Sequence, residues 1–254
     1  MKRALLLFLA ASAFGQVMPD ALNYRLPIRF QVQARLMSWN TAGGVVAKSW
    51  VQNPTLGAIA NSNTVSQSFA SLPTIGNYVF AACNQLTTSG VITMADNQGH
   101  TYTSTKSIVA LSETLTLFRV KVTASSGTFT MTCNSTVSTF IAITIGEAAG
   151  LDPSSPDDGT PSSSSTAGST TVNCGSVTTT NASDLLIAVG GVVNGVTTWT
   201  AGASYTLRGN TNISQGTSMN LGMETRIVSV TNTYSPTLTI DSALNNVCVA
   251  AAFK

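Results

Sequence analysis

Short runs that alternate apolar and hydroxyl-bearing residues recur along most of the chain. In "TFTMTC" (128–133) and "TLTID" (237–241) every second side chain is apolar, which is the period of a strand with one buried face. Gly, Asn, Asp and Ser separate the runs, and no segment after residue 16 has convincing helical periodicity. The pattern predicts an all-β fold of antiparallel strands, as a sandwich or jelly roll.

The chain also repeats itself at an interval of about one hundred residues. The matching segments keep the same order in both copies. Such a duplication predicts two β-sandwich halves, jelly-roll or Ig-like, which are either tandem domains or packed as one larger sandwich. The clearest matches are "GNYVFAA" (76–82) with "SDLLIAV" (183–189), "GTFTM" (127–131) with "PTLTI" (236–240), and "FIAITIGE" (140–147) with "VCVAAAFK" (247–254).

The repeat and the composition together predict the domain boundaries. Between the halves, "LDPSSPDDGTPSSSSTAGST" has three prolines and no aromatic residue, which is typical of an exposed loop or linker. We predict a signal peptide (1–15), an N-terminal arm (16–62), a first half (63–150), a linker (151–170) and a second half (171–254).

The first fifteen residues have the layout of a secretory signal peptide. Lys2 and Arg3 precede an apolar run (4–9), and small residues follow up to Gln16. The run is too short to cross a bilayer, and no later run reaches the roughly 18 apolar residues of a membrane helix. The sequence predicts a protein that is secreted or held at the cell surface without a transmembrane segment.

One amphipathic segment has no counterpart in the repeat. "PIRFQVQARL" (27–36) alternates strictly between an apolar and a polar face, as an edge strand does. It pairs either within its own domain or with a neighbouring copy, as a donated strand that would build head-to-tail polymers. The apolar face consists of Phe30, Val32, Ala34 and Leu36.

Charge and cysteine content narrow the class of protein. Charged residues make up 9% of the chain, against roughly 25% in ordinary soluble domains. Loss of Lys2 and Arg3 with the signal peptide takes the formal net charge from +2 to 0, which does not favour nucleic acid or anionic lipid as a partner. No sequence motif indicates a cofactor.

Four widely spaced cysteines predict two disulfides in an exported protein. Three pairings are possible, and no Cys/His cluster indicates zinc. We favour the pairing of Cys83 with Cys133 and of Cys174 with Cys248, because each bond then closes within one half of the chain.

Five segments carry motifs of the form DxQGxxYT, ExxGLD and ExRIV, or lie beside them: "DNQGHTYT", "IGEAAGLDPSSPDDGT", "GSVTTTNASDLLIAV", "TAGASYTLR" and "METRIVSVTNTY". These segments resemble a group of secreted, Thr-rich β-sandwich proteins of soil bacteria such as the Acidobacteria. The resemblance runs from about residue 64 to Lys254 and implies export and a β-sandwich, but no activity. The chain departs from the group's pattern at His100, Ala148 and Thr225, where Asn, Tyr and Asp are usual.

The stretch "DNQGHTYT" (96–103) contains the chain's single histidine, His100, four residues after Asp96. A Ser-His-Asp arrangement would need this histidine, but no nucleophile-elbow motif is present. Asp, Asn and Gly favour turns, and the matching segment of the second half keeps the glycine and the tyrosine but not the acid or the histidine. We therefore predict a turn, in the form of a hairpin.

Carboxylates give two further candidate chemistries. Glu147 and Glu224 end or interrupt apolar strands, and with Asp152 they could be the paired acids of a glycoside hydrolase or lyase. Asp152, Asp157 and Asp158 lie in one segment and are a weak candidate for a calcium site, although their spacing does not match an EF-hand. Acids at strand edges are more often solvated or paired with arginine.

Tyrosines beside turns are candidates for stacking on sugars. Tyr102, Tyr205 and Tyr234 each have Asn, Thr or Asp nearby, although interior packing is the more common use of tyrosine. The sequence therefore favours an exported, non-catalytic β-sandwich protein with a surface, adhesive or self-assembling role, whose candidate partners are glycans or a second copy. The alternative is a secreted carbohydrate-active enzyme that uses the paired carboxylates.

Overall fold

The computed structural model describes residues 47–54, 57–193, 198–210 and 219–254. Over these residues the chain forms fifteen strands and no helix, which confirms the predicted all-β fold. In the same ranges no helix could cross a membrane. The predicted signal peptide (1–15) and amphipathic strand (27–36) lie outside the described residues. The strands are β1 (Ser49–Gln52), β2 (Ala58–Ser68), β3 (Tyr78–Gln85), β4 (Ile92–Asp96), β5 (Thr103–Ala110), β6 (Glu113–Lys121), β7 (Thr130–Ala149), β8 (Asp157–Asn173), β9 (Val177–Thr178), β10 (Asp184–Val193), β11 (Trp199–Thr200), β12 (Thr206–Asn210), β13 (Met219–Val228), β14 (Thr233–Tyr234) and β15 (Thr237–Phe253).

The two halves of the chain form two antiparallel sheets with the same strand order. The first sheet runs β1-β7-β3-β6-β5, and the second runs β11-β15-β10-β13-β12. Strands β2 and β4 also pair with β7, as β8 and β11 pair with β15. The central strands β3, β6 and β7 therefore correspond to β10, β13 and β15, and the duplication seen in the sequence is present in the topology.

Each half is a small sandwich because its longest strand contributes to two layers. The first residues of β7 pair with β4, and its last residues pair with β3. Strand β3 is consequently buried on both faces, and its adjacent side chains point to opposite sides. Phe80 points into the core between the two sheets, whereas Val79 and Ala81 point into an outer core within the first half.

A central apolar core joins the two halves. Phe80 and Leu117 of the first sheet pack there with Ile187 and Phe253 of the second sheet, and all four are fully buried. Burial of each such side chain stabilises the fold by roughly 1.5–3 kcal/mol. The two halves belong to one compact unit. Of the two predicted arrangements, the structure therefore has the packed halves.

Residues 150–156 connect β7 to β8 and are tied to the end of β15. The backbone N–H of Asp152 donates to the carbonyl of Lys254 at 2.6 Å, and the N–H of Lys254 donates to the carbonyl of Pro156 at 2.7 Å. Just beyond, Arg119 of β6 forms a bidentate ion pair with Asp157, with Nε 2.7 Å from Oδ1. These contacts fix the start of β8 beside the first sheet.

Two disulfides lie in the outer cores, with the predicted pairing. Cys83 bonds to Cys133 between β3 and β7, and Cys174 bonds to Cys248 of β15. The two bonds span 50 and 74 residues, for which loop-closure entropy predicts a stabilisation of about 4 kcal/mol each. Each half therefore has its own covalent cross-link.

The predicted linker (151–170) is wrong from Asp157 onward, because β8 begins there and runs to Asn173. It pairs with β15 along most of its length, with Ser162 opposite Ala250. Only the inward side chains of an edge strand need to be apolar, so the exposed Ser and Thr residues conceal the strand in the sequence. The boundary at residue 62 also cuts through β2 (Ala58–Ser68), which belongs to the first half.

Candidate functional site

The turn after β4 holds His100 in a closed hydrogen-bond network. Its Nδ1 lies 2.8 Å from Oδ2 of Asp96, and the hydroxyl of Tyr102 donates to the same oxygen at 2.6 Å. The other ring nitrogen, Nε2, accepts the backbone N–H groups of Thr123 at 3.0 Å and Ala124 at 3.2 Å. A nitrogen that accepts N–H groups carries no proton, so the proton is on Nδ1 and both ring nitrogens are engaged.

Asp96 organises the rest of this turn. Its Oδ1 accepts the backbone N–H groups of Gln98, Gly99 and His100 at 2.9, 2.8 and 3.2 Å. Burial raises the pKa of Asp96, but hydrogen bonds from Tyr102 and the turn outweigh burial and hold the pKa below its ordinary value. The segment is a turn, as predicted, but it is not a hairpin, because β4 pairs with β7 and β5 pairs with β6.

Glu147 and Glu224 lie on opposite sides of the central core. Their strand neighbours Ala148 and Met223 point into that core, so the two glutamates point away from it, each into its own half. Because stacked sheets are about 10 Å apart, the two carboxylates are further apart than this spacing. They do not face each other across a cleft, as the paired acids of a glycosidase must.

Both glutamates anchor loops. Glu147 Oε1 accepts the backbone N–H of Thr74 at 2.8 Å and the side-chain amide of Asn77 at 2.5 Å. Glu224 Oε2 accepts the backbone N–H of Gly202 at 2.7 Å. Burial raises the pKa of Glu224 to about 7, and the bond from Gly202 opposes this shift. Glu147 therefore fixes the loop before β3, and Glu224 fixes the loop between β11 and β12.

The three aspartates of the calcium candidate have separate partners. Asp152 accepts the backbone N–H groups of the two serines that follow Pro153, both at 2.8 Å. Asp157 pairs with Arg119, and Asp158 accepts the backbone N–H of Thr180. Within the described residues, no group of three or more His, Cys, Asp or Glu side chains could hold a metal ion.

The three candidate tyrosines do not form one platform. Tyr102 packs on the outer core of the first half, whereas Tyr205 and Tyr234 pack on that of the second half. These two flank Arg226, whose guanidinium carbon lies 5.7 and 5.2 Å from their ring centroids. The hydroxyl of Tyr234 donates to the carbonyl of Val230 at 2.7 Å. The tyrosines contribute to packing in both halves.

A cavity of about 570 Å³ opens where the two halves meet, at one end of the central core. We call it the seam cavity. Its apolar wall contains Leu151 and Pro153 of the connecting segment and the exposed side chain of Ile75. Its polar wall contains Lys48, Asn77, Asp152, Asn181, Ser183 and Lys254.

The loops that precede β3 and β10 both line the seam cavity, and a carboxylate anchors each of them. In the first half, Glu147 of β7 receives the amide of Asn77. In the second half, Asp158 of β8 receives the backbone N–H groups of Thr180 at 2.5 Å and Asn181 at 3.2 Å. The two halves thus fix equivalent loops with acids that come from different strands.

Asp184 takes the place in the second half that Asn77 has in the first. The repeat aligns the two residues, and each lies at the start of a corresponding central strand. Asp184 is fully buried, and neither of its oxygens has an N–H or O–H donor among the described residues. Asp158 lies opposite Ala252, which lies opposite Leu186, so Asp158 and Asp184 point to the same face of the second sheet, where their carboxyl groups interact. Two carboxyl groups attract each other only when they share a proton.

Of the two carboxyl groups, Asp184 is the one whose surroundings favour the protonated form. Burial, together with its contact with Asp158, raises the pKa of Asp184 to about 7, although the charges of Lys48 and Lys254 oppose the shift. Burial also raises the pKa of Asp158, but the hydrogen bonds that it accepts hold its pKa below the ordinary range. A protonated Asp184 would thus stand in the second half as a donor where the amide of Asn77 donates in the first.

Another buried acid lies beside the other end of β10. Glu113 is fully buried, and its Oε2 accepts the side-chain amide of Asn84 at 2.6 Å. Burial raises the pKa of Glu113 to about 8, against the effect of this hydrogen bond. A Cβ atom on Gly191 would come within 2.4 Å of Asn84 Nδ2, so glycine makes room for the pair. Its geometry gives the pair a structural role.

Of the polar wall of the seam cavity, the sequence pattern indicates only Asp152 as a candidate site residue. The available signal was the alignment of "GNYVFAA" with "SDLLIAV", which places an acid opposite an amide before an apolar strand.

Comparisons of the chain with protein-family models, curated proteins and solved structures find no match.

Proposed function

We propose that the protein is an exported, non-catalytic β-sandwich protein of the cell surface that binds a glycan in the seam cavity. The composition of that cavity carries the proposal, because it places amide, hydroxyl and charged groups beside an apolar wall. Its volume is within the range of about 300–1,000 Å³ that is common for small-molecule sites.

The chemistry of the cavity wall suits a saccharide. Asn77, Asn181 and Ser183 offer side chains of the kind that bind sugar hydroxyls. Lys48 and Asp152 add charged groups, whose hydrogen bonds are stronger than neutral ones. The apolar wall provides a surface for the C–H face of a sugar ring. The two loops that carry Asn77 and Asn181 are both anchored to buried carboxylates, so these side chains are held in place before a ligand binds.

The positions of the acids favour binding over hydrolysis. Glu147 accepts hydrogen bonds from a loop and points away from Glu224, and Asp152 caps its own turn. The alternative of a carbohydrate-active enzyme needs two of these acids on one cleft. Export is supported by the two buried disulfides, which persist in oxidising compartments.

A glycan array probed with the mature full-length protein tests the proposal. The saccharide with the strongest signal is then titrated by calorimetry against wild type and against Ile75→Ala and Lys48→Ala. We expect each variant to bind about 5–10-fold more weakly, because each loses a contact worth about 1 kcal/mol.

Two matched variants outside the cavity serve as controls. Val91 is as exposed as Ile75 (61% against 64%), and Lys106 is a half-buried lysine like Lys48. Val91→Ala and Lys106→Ala should bind like wild type. An array without a binder, or equal losses in the cavity and control variants, would contradict binding in the seam cavity.

A further inference from the structure

We propose that Asp184 is a proton-dependent latch that fixes one wall of the seam cavity through Asp158, and that alkaline solution releases this wall. The effect on glycan affinity rests on the proposed function, whereas the latch itself does not.

The latch is a buried carboxyl pair attached to a loop. Asp184 is fully buried and Asp158 is 4% exposed, so water does not screen their charges well. Asp158 holds the backbone N–H groups of Thr180 and Asn181, and Asn181 lines the cavity. A proton on Asp184 converts the contact into a hydrogen bond, and its loss places two anions side by side.

The first half of the molecule contains an equivalent contact between a loop and a carboxylate, but its donor is an amide that does not titrate. There Asn77 donates its amide to Glu147 at 2.5 Å, and the same carboxylate holds the backbone N–H of Thr74. An amide keeps its donor at every pH at which the protein is folded. The loop before β3 is therefore an internal reference for the loop before β10.

The surrounding charges decide how readily the latch opens. Burial is the largest opposition to the ionised form of Asp184, and Asp158 adds to it, whereas Lys48 and Lys254 favour the ionised form more weakly. Asp157 is neutralised by Arg119, and Asp152 lies on the cavity side of the connecting segment. The balance keeps Asp184 protonated in acid, with its pKa raised to about 7.

Two measurements on the mature full-length protein between pH 5 and 9 test the latch. Carbon-detected NMR follows the carboxyl carbon of Asp184, and amide hydrogen exchange gives the protection of Thr180 and Asn181 after correction for intrinsic rates. We expect a titration midpoint near pH 7. Above it, protection should fall by up to about tenfold per pH unit, which is the limit for the loss of one proton.

A reciprocal pair of variants sharpens the test. Asp184→Asn restores the amide of the first half, so the protection of Thr180 and Asn181 should no longer depend on pH. Asn77→Asp should transfer the pH dependence to the loop that contains Thr74. A midpoint near pH 4 in wild type, or pH-dependent protection that persists in Asp184→Asn, would overturn the latch. The wild-type titration decides the question even where a variant fails to fold.

The array saccharide separates the latch from the proposed function. If the saccharide binds in the seam cavity, its affinity should fall as the pH rises through 7 in wild type but not in Asp184→Asn. If Asp184 titrates near pH 7 and the protection of Thr180 and Asn181 falls above it, but no saccharide binds, the glycan proposal is wrong and the latch stands. If the saccharide binds equally well at every pH and Asp184 titrates near pH 4, the latch is wrong and the glycan proposal stands.

Discussion

Phe80 and Phe253 meet edge to face, with ring centroids 4.8 Å apart, and this contact joins the two halves of the duplicated chain. Phe80 lies in the central strand of the first sheet and Phe253 at the end of the strand that pairs with the central strand of the second. Edge-to-face aromatic pairs add about 0.5–1.5 kcal/mol beyond the area that they bury. The halves therefore share a core and should unfold together.

Substitution of Phe253 tests this coupling. Phe253→Ala should lower the free energy of unfolding by about 3–5 kcal/mol, because it leaves a cavity in the central core. Urea unfolding of the disulfide-bonded protein should show one transition, moved to lower urea, by both fluorescence and circular dichroism. Val109→Ala, at a 56% exposed position, should leave the midpoint unchanged. Two separate transitions, with only one of them shifted, would contradict a shared core.

His100 should matter for stability and not for ligand binding. His100→Ala removes the acceptor of the backbone N–H groups of Thr123 and Ala124 and the ring that stacks on Phe129, which should cost about 1–2 kcal/mol. Thermal unfolding at pH 7 measures the loss, and the array saccharide measures binding. His100→Asn retains a polar side chain and should lose less stability. A loss of binding without a loss of stability would restore a functional role for this histidine.

Glu113 should make the protein less stable in alkali. Its pKa is raised from the ordinary value of 4.5 to about 8 in the folded state, so the folded chain retains a proton that the unfolded chain releases. The resulting loss of stability grows from about pH 4.5 to about pH 8 and then levels off.

The neutral variant Glu113→Gln should remove this dependence. It should raise the free energy of unfolding by about 2–4 kcal/mol at pH 9 and change it little at pH 4. Urea unfolding at the two pH values measures the difference. An equal change at both would show that the substitution acts through packing rather than through the proton.

Gly146 should resist substitution because Trp50 lies directly over it. A Cβ atom at residue 146 would come within 2.0 Å of Trp50 Cζ2. Gly146→Ala should therefore destabilise the protein by about 1–3 kcal/mol, through displacement of the ring. The double variant Gly146→Ala with Trp50→Leu should lose less than the sum of the single losses in urea unfolding. Additive losses would place the strain elsewhere.

The repeated pattern of alternating residues was sufficient to predict the fold class, the duplication and the disulfide pairing. It failed for β8, because the polar side chains of an edge strand resemble those of a linker. It also did not reveal that β3 and β10 are covered on both faces, although their continuous apolar runs agree with this burial. Layering depends on how β7 and β15 bend, which periodicity does not encode.

The candidate site was less predictable than the fold. Their similar places in apolar strands make Glu147 and Glu224 a candidate catalytic pair, but the alternation of side chains along each strand directs them to opposite sides of the central core. The seam cavity brings Lys48 and Lys254 together from distant parts of the chain. No local sequence motif indicates that these two lysines line the same cavity. The sequence shows that Asp184 in the second half replaces Asn77 of the first half. The consequence of this change depends on Asp158, which the sequence does not place beside Asp184.

Each disulfide closes within one half, and the contact between the halves is entirely non-covalent. The connection between β7 and β8 is only seven residues long. During refolding at high concentration, a first half can thus meet the second half of another molecule on the same aromatic and aliphatic surface. The fold therefore contains a ready route to exchanged dimers, in which two chains trade halves without breaking a single cross-link.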